Sequence, residues 1–290
     1  MRLLILGLLI TTSSFAQPSK VIPVFLEAVR SYINDPDASS NLVLRPDILA
    51  VIKKLEDAKI DPEFLRKYES LDPDAKWLVG ADDKYDRWLN EPVSKTTEAP
   101  ELALHSFKID VIAQSDDVFK DDIYAYYFVT DGLIPTGKVT SIYKGIGHGQ
   151  GFFFSEKDRV IFPLGFDAKK PDQHLIVDYG VIESDGDDIK KMQKLSSIII
   201  DIVIAVYTAR DPQAGEVLNS LRKEVKALAD MLLSLNSDDR LIADTFGFKS
   251  AELAQLLEQD SYVEFTKKYK KTSHFDNWEY HVHFRLIRKD

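Results

Sequence analysis

The chain has 290 residues, no cysteine and a formal net charge of −10, and 44% of its residues are hydrophobic. This hydrophobic content is ordinary for a globular protein, and the length allows one large domain with an appendage or two domains. The acidic excess disfavours nucleic acid as a partner, and the lack of cysteine excludes disulfides, thiol nucleophiles and cysteine-ligated metals.

The N-terminus has the pattern of a secretory signal peptide over residues 1–16. Arg2 precedes the apolar run LLILGLLI, and small residues stand at Ser14 and Ala16, the positions that a signal peptidase reads. The run is too short to span a bilayer, and no later segment supplies about 20 uninterrupted apolar residues. We therefore predict cleavage after Ala16, export to the bacterial periplasm, cell surface or exterior, and no transmembrane segment in the mature chain.

A helical domain is predicted at residues 17–90, because apolar residues recur every three and four positions in VIPVFLEAVRSYI and RPDILAVIKKLEDA. The next segment, EPVSKTTEAPE at 91–101, has no period and is rich in proline, threonine and charge, which is typical of a linker. We expect the helical domain to be separable, with limited proteolysis cutting between Glu91 and Glu101.

Residues 102–290 are predicted to form a β-sandwich domain. The period changes to two in HSFKIDVIAQ, where Phe107, Ile109 and Val111 share one face. Further short strands are expected in DIYAYYFVTDG, GKVTSIYK, GFFFSE, DRVIFP and HLIVDYGVIE, each bounded by Gly, Pro or Asp. Short strands joined by turns and not by helices indicate an antiparallel sandwich or barrel.

A glycine-rich stretch, GIGHGQG at 145–151, lies between two of these strands. It matches neither phosphate-loop pattern, and no helix N-terminus follows it to hold an anion. We expect a flexible hairpin tip.

A helical hairpin insertion is predicted at 189–257. A second helix from Val217 to Leu235 and a short one around Ala251 to Leu257 complete it, and its first helix has an apolar stripe at Ile189, Met192, Leu195, Ile199, Ile202 and Val206. The predicted fold class is therefore α+β: an antiparallel β-sandwich with an N-terminal helical domain and this insertion.

The chain closes with a strand hairpin, YVEFTKKYK and NWEYHVHFRLIR, whose second strand places Trp278, Tyr280, Val282, Phe284 and Leu286 on one face. On the other face, His281 and His283 suit zinc with His274 or a carboxylate as third ligand, but the charged neighbours there favour solvated histidines. The run KKYKK at 267–271 protects a strand edge from aggregation, or contacts anionic lipid or an acidic partner.

Acidic residues are concentrated in two loops at strand ends. SDDVFKDD holds Asp116, Asp117, Asp121 and Asp122, and VIESDGDDIKK holds Glu183, Asp185, Asp187 and Asp188. Neither loop is an EF-hand, but facing carboxylates repel one another, and Ca²⁺ with roughly six to eight oxygen ligands relieves that repulsion. The alternative is structural, with Asp187 or Asp188 capping the helix at Ile189 and the first loop forming an Asx-turn.

This arrangement resembles the calcium loops of C2-type β-sandwich domains. The similarity lies in the acidic loop before DDIYAYYFV and the acids that end LIVDYGVIESDGDD; it covers roughly 104–188, and the C-terminal hairpin completes the sandwich. In that family, two separated loops supply aspartates to Ca²⁺, which bridges to phospholipid headgroups. The resemblance implies Ca²⁺ as a cofactor, with candidate ligands at Asp116, Asp121, Asp122, Asp185, Asp187 and Asp188.

The sequence contains no G-x-S-x-G elbow and no H-E-x-x-H motif. We predict an exported, non-enzymatic binding module, Ca²⁺-dependent through the two loops, that contacts a protein partner or an anionic membrane surface in the bacterial envelope. One alternative is a divalent-metal-dependent hydrolase that uses the acidic loops or the histidines. Another is a protein-interaction domain in which the acids are purely structural.

Overall fold

The computed structural model describes residues 21–35, 37–40, 44–71, 101–113, 121–130, 135–162, 174–183, 189–208, 240–249, 253, 262–272 and 277–289. The helices are α1 (Val21–Asn34), α2 (Pro46–Asp57), α3 (Pro62–Glu69), the short α4 (Glu156–Arg159) and α5 (Ile189–Thr208), with a 3₁₀ turn at Ala38–Ser40. The strands are β1 (Glu101–Ala113), β2 (Asp121–Thr130), β3 (Pro135–Val139), β4 (Tyr143–Ile146), β5 (Gln150–Phe153), β6 (Val160–Phe162), β7 (His174–Glu183), β8 (Arg240–Lys249), β9 (Tyr262–Thr272) and β10 (Asn277–Lys289).

These strands form two antiparallel sheets. Sheet A has the order β5-β1-β10-β9, with β6 also paired to β1, and sheet B has the order β3-β2-β7-β8, with β4 also paired to β2. The strands β1 and β10 lie side by side from Glu101, opposite Lys289, to Ala113, opposite Glu279. The predicted α+β class, an antiparallel sandwich with helices, is confirmed.

The sandwich core lies between the two sheets and follows from the period of two along each strand. Sheet B contributes alternate residues of β2 and β7, including Tyr127 and Tyr179. From β10, Trp278 is partly buried in this core, and four residues are fully enclosed: Tyr280, Val282, Phe284 and Leu286. The predicted inward face of β10 is therefore confirmed.

A second core lies on the outer side of sheet B, under the helices. There α1, α2, α3 and α5 bury their apolar stripes against Tyr124, Tyr126 and Phe128 of β2 and Ile182 of β7. The predicted stripe of α5 is buried at Ile189, Met192, Leu195, Ile199 and Ile202, whereas the side chain of Val206 lies outside the described residues. In the described part of the chain, no helix is long and apolar enough to cross a membrane.

The N-terminal helices share this second core with the rest of the chain. The hydroxyl of Tyr68 on α3 donates to Sδ of Met192 on α5 at 3.3 Å, and Lys54 of α2 pairs with Asp201 of α5 at 3.1 Å. This packing differs from the prediction of a separable helical domain, because α1–α3 bury their apolar faces against α5 and sheet B. Apart from Glu101, which begins β1, the predicted linker at 91–101 lies outside the described residues.

The predicted helical insertion at 189–257 is wrong at its C-terminal end, because β8 lies within that range. β8 pairs with β7 and sends Ile242 and Phe246 into the sandwich core. Pairing with a distant strand thus decides its conformation, as is common for strands. The predicted second helix at 217–235 lies outside the described residues, as does the short one at 251–257 apart from Leu253, which is buried in the sandwich core.

Three predictions near the glycine-rich stretch also need correction. GKVTSIYK forms two strands, β3 and β4, and the DRVIFP strand starts at Val160 because Asp158 and Arg159 belong to α4. GIGHGQG is not a hairpin tip, since β4 pairs in sheet B and β5 in sheet A, so the turn carries the chain between sheets. Gly145 and Gly149 have φ of 68° and 70°, which glycine adopts without a steric penalty.

Candidate functional site

The two predicted calcium loops leave sheet B at neighbouring strand ends. β2 begins at Asp121, β7 ends at Glu183, and Ile123 is paired directly with Glu183. The segment before β2 and the segment after β7 therefore start from the same end of the sheet. Four of the candidate ligands lie outside the described residues: Asp116, Asp185, Asp187 and Asp188.

The two described candidates already have partners within the fold. Asp121 is buried and accepts a hydrogen bond from the hydroxyl of Tyr280, which ties sheet B to sheet A. Asp122 accepts the amide of Gly145 at 2.9 Å and pairs with Lys144 at 3.1 Å. Within the described residues, no group of three or more His, Asp or Glu side chains is arranged to hold a metal ion. The calcium site stays a prediction.

The outer side of sheet A, here called the sheet A face, carries charged, polar and aromatic side chains. It contrasts with the outer side of sheet B, because the helix-covered core contains no residue of sheet A. Alternation along the strands brings these side chains to it: His105, Phe107, Lys108, Asp110, Phe153, Tyr262, Glu264, Thr266, Lys268, Lys270, Glu279, His281, His283 and Arg285.

His283 is the centre of a hydrogen-bonded row across the sheet A face. Its Nδ1 lies 2.9 Å from Oγ1 of Thr266, and its Nε2 lies 2.9 Å from Oδ2 of Asp110. Lys108 pairs with the same carboxylate at 2.7 Å. Gly151 makes this possible, because a Cβ there would meet Oδ1 of Asp110 at 2.0 Å.

Arg285 forms a second row nearer the other end of the face. Its guanidinium lies 4.8 Å from the ring centre of Phe107 and 4.9 Å from that of Tyr262, both within cation–π range. Nε of Arg285 also donates to the carboxylate of Glu264 at 2.8 Å. An arginine held between two rings has few rotamers left to lose on binding, so this row is a pre-organised contact point.

Large apolar side chains are exposed on sheet A. The exposed large hydrophobic residues of the described chain are Ile112 at 38%, Phe153 at 66% and Tyr262 at 50%, and all three lie in strands of this sheet. Phe153 stands on the edge strand β5 and Tyr262 on the edge strand β9, so the rings lie at opposite sides of the face. Exposed aromatic side chains of this kind are characteristic of binding surfaces.

The row Thr266–His283–Asp110 has the order of a hydroxyl–imidazole–carboxylate relay, but its setting differs from a catalytic triad. Backbone amides in a sheet point along the sheet towards neighbouring strands, so those of the described strands do not converge above Thr266 to stabilise an oxyanion.

His281 bonds to Glu279 at 2.9 Å, and His274, the third ligand of the zinc hypothesis, lies outside the described residues. The geometry of this face suits contact better than acyl transfer.

A buried polar cluster near β6 was missed from the sequence. Asp158 accepts hydrogen bonds from the hydroxyl of Tyr143 at 2.8 Å, Oγ of Ser155 at 2.9 Å and the amide of Ser141 at 3.2 Å. Burial alone would raise the pKa of Asp158, but these hydrogen bonds together lower it. The Ser-x-x-Asp spacing at the start of α4 is a capping-box pattern and was the available signal.

His105, on the sheet A face beside this cluster, lies among cations. Burial lowers its pKa most, and the charges of Arg159, Arg285 and Lys138 lower it further. The side chain is therefore held as neutral imidazole near neutral pH.

Comparisons with known proteins leave the family open. No family model matches the sequence, and no curated protein matches it. Among solved structures, a C2 domain of plant extended synaptotagmin 1 matches at 9% identity with a TM-score of 0.27, over 67% of this chain and 97% of that one. A structure of CC2D1B, described as coordinating ESRCT-III activity during the mitotic reformation of the nuclear envelope, matches at 10% identity with a TM-score of 0.26, over 93% of this chain and 86% of that one. The C2-like resemblance is thus found again, and it stays weak; at these TM-scores, no site or activity is carried over to this chain.

Proposed function

We propose that this chain is an exported, non-enzymatic binding module that contacts a protein partner through the sheet A face. The observation that carries this proposal is the asymmetry of the sandwich. One outer side is covered by the chain's own helices, whereas the side that their core does not reach carries the exposed rings Phe153 and Tyr262.

The chemistry of the face favours a protein over an anionic membrane. Each carboxylate named on the face has a cationic or histidine partner: Asp110 with Lys108 and His283, Glu264 with Arg285, and Glu279 with Lys270 and His281. Lys108, Lys270 and Arg285 are compensated in this way, which weakens the attraction to anionic lipid, since that attraction depends on clustered, uncompensated cations. Aromatic rings around an arginine instead match the composition of protein–protein contact sites.

The binding surface is tested by substitution. The partner is first captured from extracts with the wild-type protein and purified. We then expect Phe153→Ser and Arg285→Gln each to weaken its binding at least tenfold in titration calorimetry. The control is Lys53→Ser, on the exposed side of α2, which should bind as the wild type does. Equal binding by all three variants, or sedimentation of the protein with phosphatidylserine vesicles in place of a protein partner, would contradict the proposal.

Export is supported by the apolar leader, Arg2 and the small residues Ser14 and Ala16. N-terminal sequencing of the protein from the producing cell should give Gln17 as the first residue. Intact Met1 in the secreted fraction would defeat this part of the proposal.

Calcium binding is a second candidate function. It is favoured by the pairing of Ile123 with Glu183, because the first acidic loop ends and the second begins at this end of sheet B. Binding at 100 times the Kd stabilises a folded protein by about 2.7 kcal/mol, so the Tm should rise with added Ca²⁺. Replacing Asp185 and Asp187 by Asn should abolish that rise, whereas Asn would still serve as a helix cap. An unchanged Tm for chelator-treated wild type in millimolar Ca²⁺ would remove the calcium hypothesis.

A further inference from the structure

Strand β9 is an unusually open edge of sheet A. All 11 of its residues, Tyr262–Thr272, pair with β10 in one continuous antiparallel register without a bulge. Within the described part of the chain, it has no partner strand on its other side. No residue of β9 whose burial is described is buried; the strand alternates between half-buried and exposed positions.

The edge strands of this fold differ in how much they bury. β8, one edge strand of sheet B, buries Ile242, Thr245 and Phe246, whereas β3, its other edge strand, has no buried residue among those whose burial is described. The inward residues of β9 are Val263, Phe265, Lys267, Tyr269 and Lys271. The three apolar or aromatic ones are only partly buried, although their partners on β10 are fully enclosed, and Lys267 between them pairs with Asp244 of β8 at 3.6 Å. A row of apolar side chains, interrupted by Lys267, therefore remains partly accessible along the inner side of the edge.

The opposite side of β9 carries positive charge. Lys268 and Lys270 alternate with the apolar row and are exposed, and Lys270 approaches Glu279 only at 3.6 Å with 65% of its side chain accessible. Exposed pairs of this kind hold their partners weakly and exchange them readily. Lysines on an edge strand also disfavour pairing with a second copy of the same edge.

We infer that β9 accepts an extended peptide segment as an additional strand, and that this segment alternates apolar and acidic residues. Backbone hydrogen bonds along the side of β9 that faces away from β10 supply the pairing, as in strand addition to other sheet edges. Because side chains alternate across a strand, apolar residues of the guest cover Val263, Phe265 and Tyr269 while its carboxylates meet Lys268 and Lys270. The inference rests on the proposed function in that sheet A is the binding surface, and it names the form of the partner.

The test is selection from a random library of octapeptides against the wild-type protein and against a Lys268→Glu/Lys270→Glu variant. The wild type should enrich peptides with Asp or Glu at alternate positions, and a selected peptide should bind the variant at least tenfold more weakly. The variant should enrich Lys or Arg at the same positions, which also shows that it is folded. Hydrogen exchange of the complex should slow at the amides of β9 and stay unchanged in α1–α3.

Enrichment of no peptide, of peptides without alternation, or of the same peptides by both proteins would overturn the inference. Slowed exchange elsewhere than in β9 would overturn it as well. Phe153→Ser, on the opposite edge strand, separates the two proposals. If partner binding is lost in that variant but no alternating peptide is selected, the proposal of a binding surface on the sheet A face is supported and the proposal of strand addition at β9 is refuted. If alternating peptides are selected and Phe153→Ser leaves partner binding unchanged, strand addition at β9 is supported and binding through the sheet A face is refuted.

Discussion

At the scale of single residues, the carboxylate of Asp158 holds together parts of the chain that belong to different elements. Its hydrogen-bond donors come from the β3–β4 connection, from β4 and from the residue before α4. Asp158 is buried and its donors Ser141 and Tyr143 are half-buried, so loss of this acceptor removes hydrogen bonds that water replaces only in part.

We expect Asp158→Ala to lower the free energy of unfolding by about 1.5–3 kcal/mol, measured by urea denaturation, because it removes hydrogen bonds to a charged acceptor. Ser155→Ala removes one donor and should cost less. Since the fold lowers the pKa of Asp158, its stabilisation is present above the ordinary carboxyl pKa and is lost as the pH falls through the folded value. An Asp158→Ala variant as stable as the wild type would show that the cluster is dispensable.

His105 gives a second prediction at this scale, and here too the stability of the fold decreases as the pH falls. The fold lowers its pKa, so between the ordinary histidine value and the folded value the unfolded chain binds a proton that the folded chain does not. Stability should therefore fall as the pH decreases below about 6.5. Urea unfolding at neutral and mildly acidic pH should show a smaller loss for His105→Gln than for the wild type; equal losses would contradict this assignment.

At the scale of elements, the contact between α5 and β3 is close enough to require glycine. A Cβ at Gly137 would lie 1.9 Å from Cγ2 of Ile200, a buried residue of α5. The helix therefore rests on the backbone of the strand, and a larger residue forces the two elements apart.

We expect Gly137→Ala to lower the free energy of unfolding by about 1–3 kcal/mol, the usual cost of overpacking. Gly147→Ala is the matched control, because its nearest contact is the flexible side chain of Gln150 at 3.3 Å. Chemical denaturation of both variants tests this. A loss in the control as large as that at Gly137 would indicate a backbone effect common to both sites.

Elements with a strong local period were predictable from the sequence, and their partners were not. The inward face of β10 and the stripe of α5 follow from spacing alone, because each element buries one side. The strand β8 was missed, since its state depends on pairing with β7. At the candidate sites, the side chains of β10 were placed on the correct face, but Asp121 could not be assigned to Tyr280, because that contact crosses between sheets.

At the scale of the whole molecule, the helices and the sandwich share sheet B. Its outer side forms one core with α1–α3 and α5, and its inner side forms the other core with sheet A. Neither core is complete without sheet B. Unfolding of either core therefore exposes the face of sheet B that it covered and weakens the other core.

We therefore expect the protein to unfold in one transition. Urea curves followed by far-UV circular dichroism, which reports the helices, and by tyrosine fluorescence, which includes the buried Tyr127 and Tyr179, should have the same midpoint. Met192→Ala in the helical core should lower both midpoints equally and cost about 2–5 kcal/mol. Two separate midpoints would instead support an independently stable helical domain.

The pairing of β1 with β10 sets an order of events for a chain made from its N-terminus. Residue 101 finds its partner at residue 289, so sheet A stays incomplete until residue 289 has been synthesised. At typical synthesis rates of about 5–20 residues per second, β1 waits roughly 10–40 s for that strand. Until β10 is available, β1 lacks its longest neighbour, so the sandwich cannot close while the strands between them are being made.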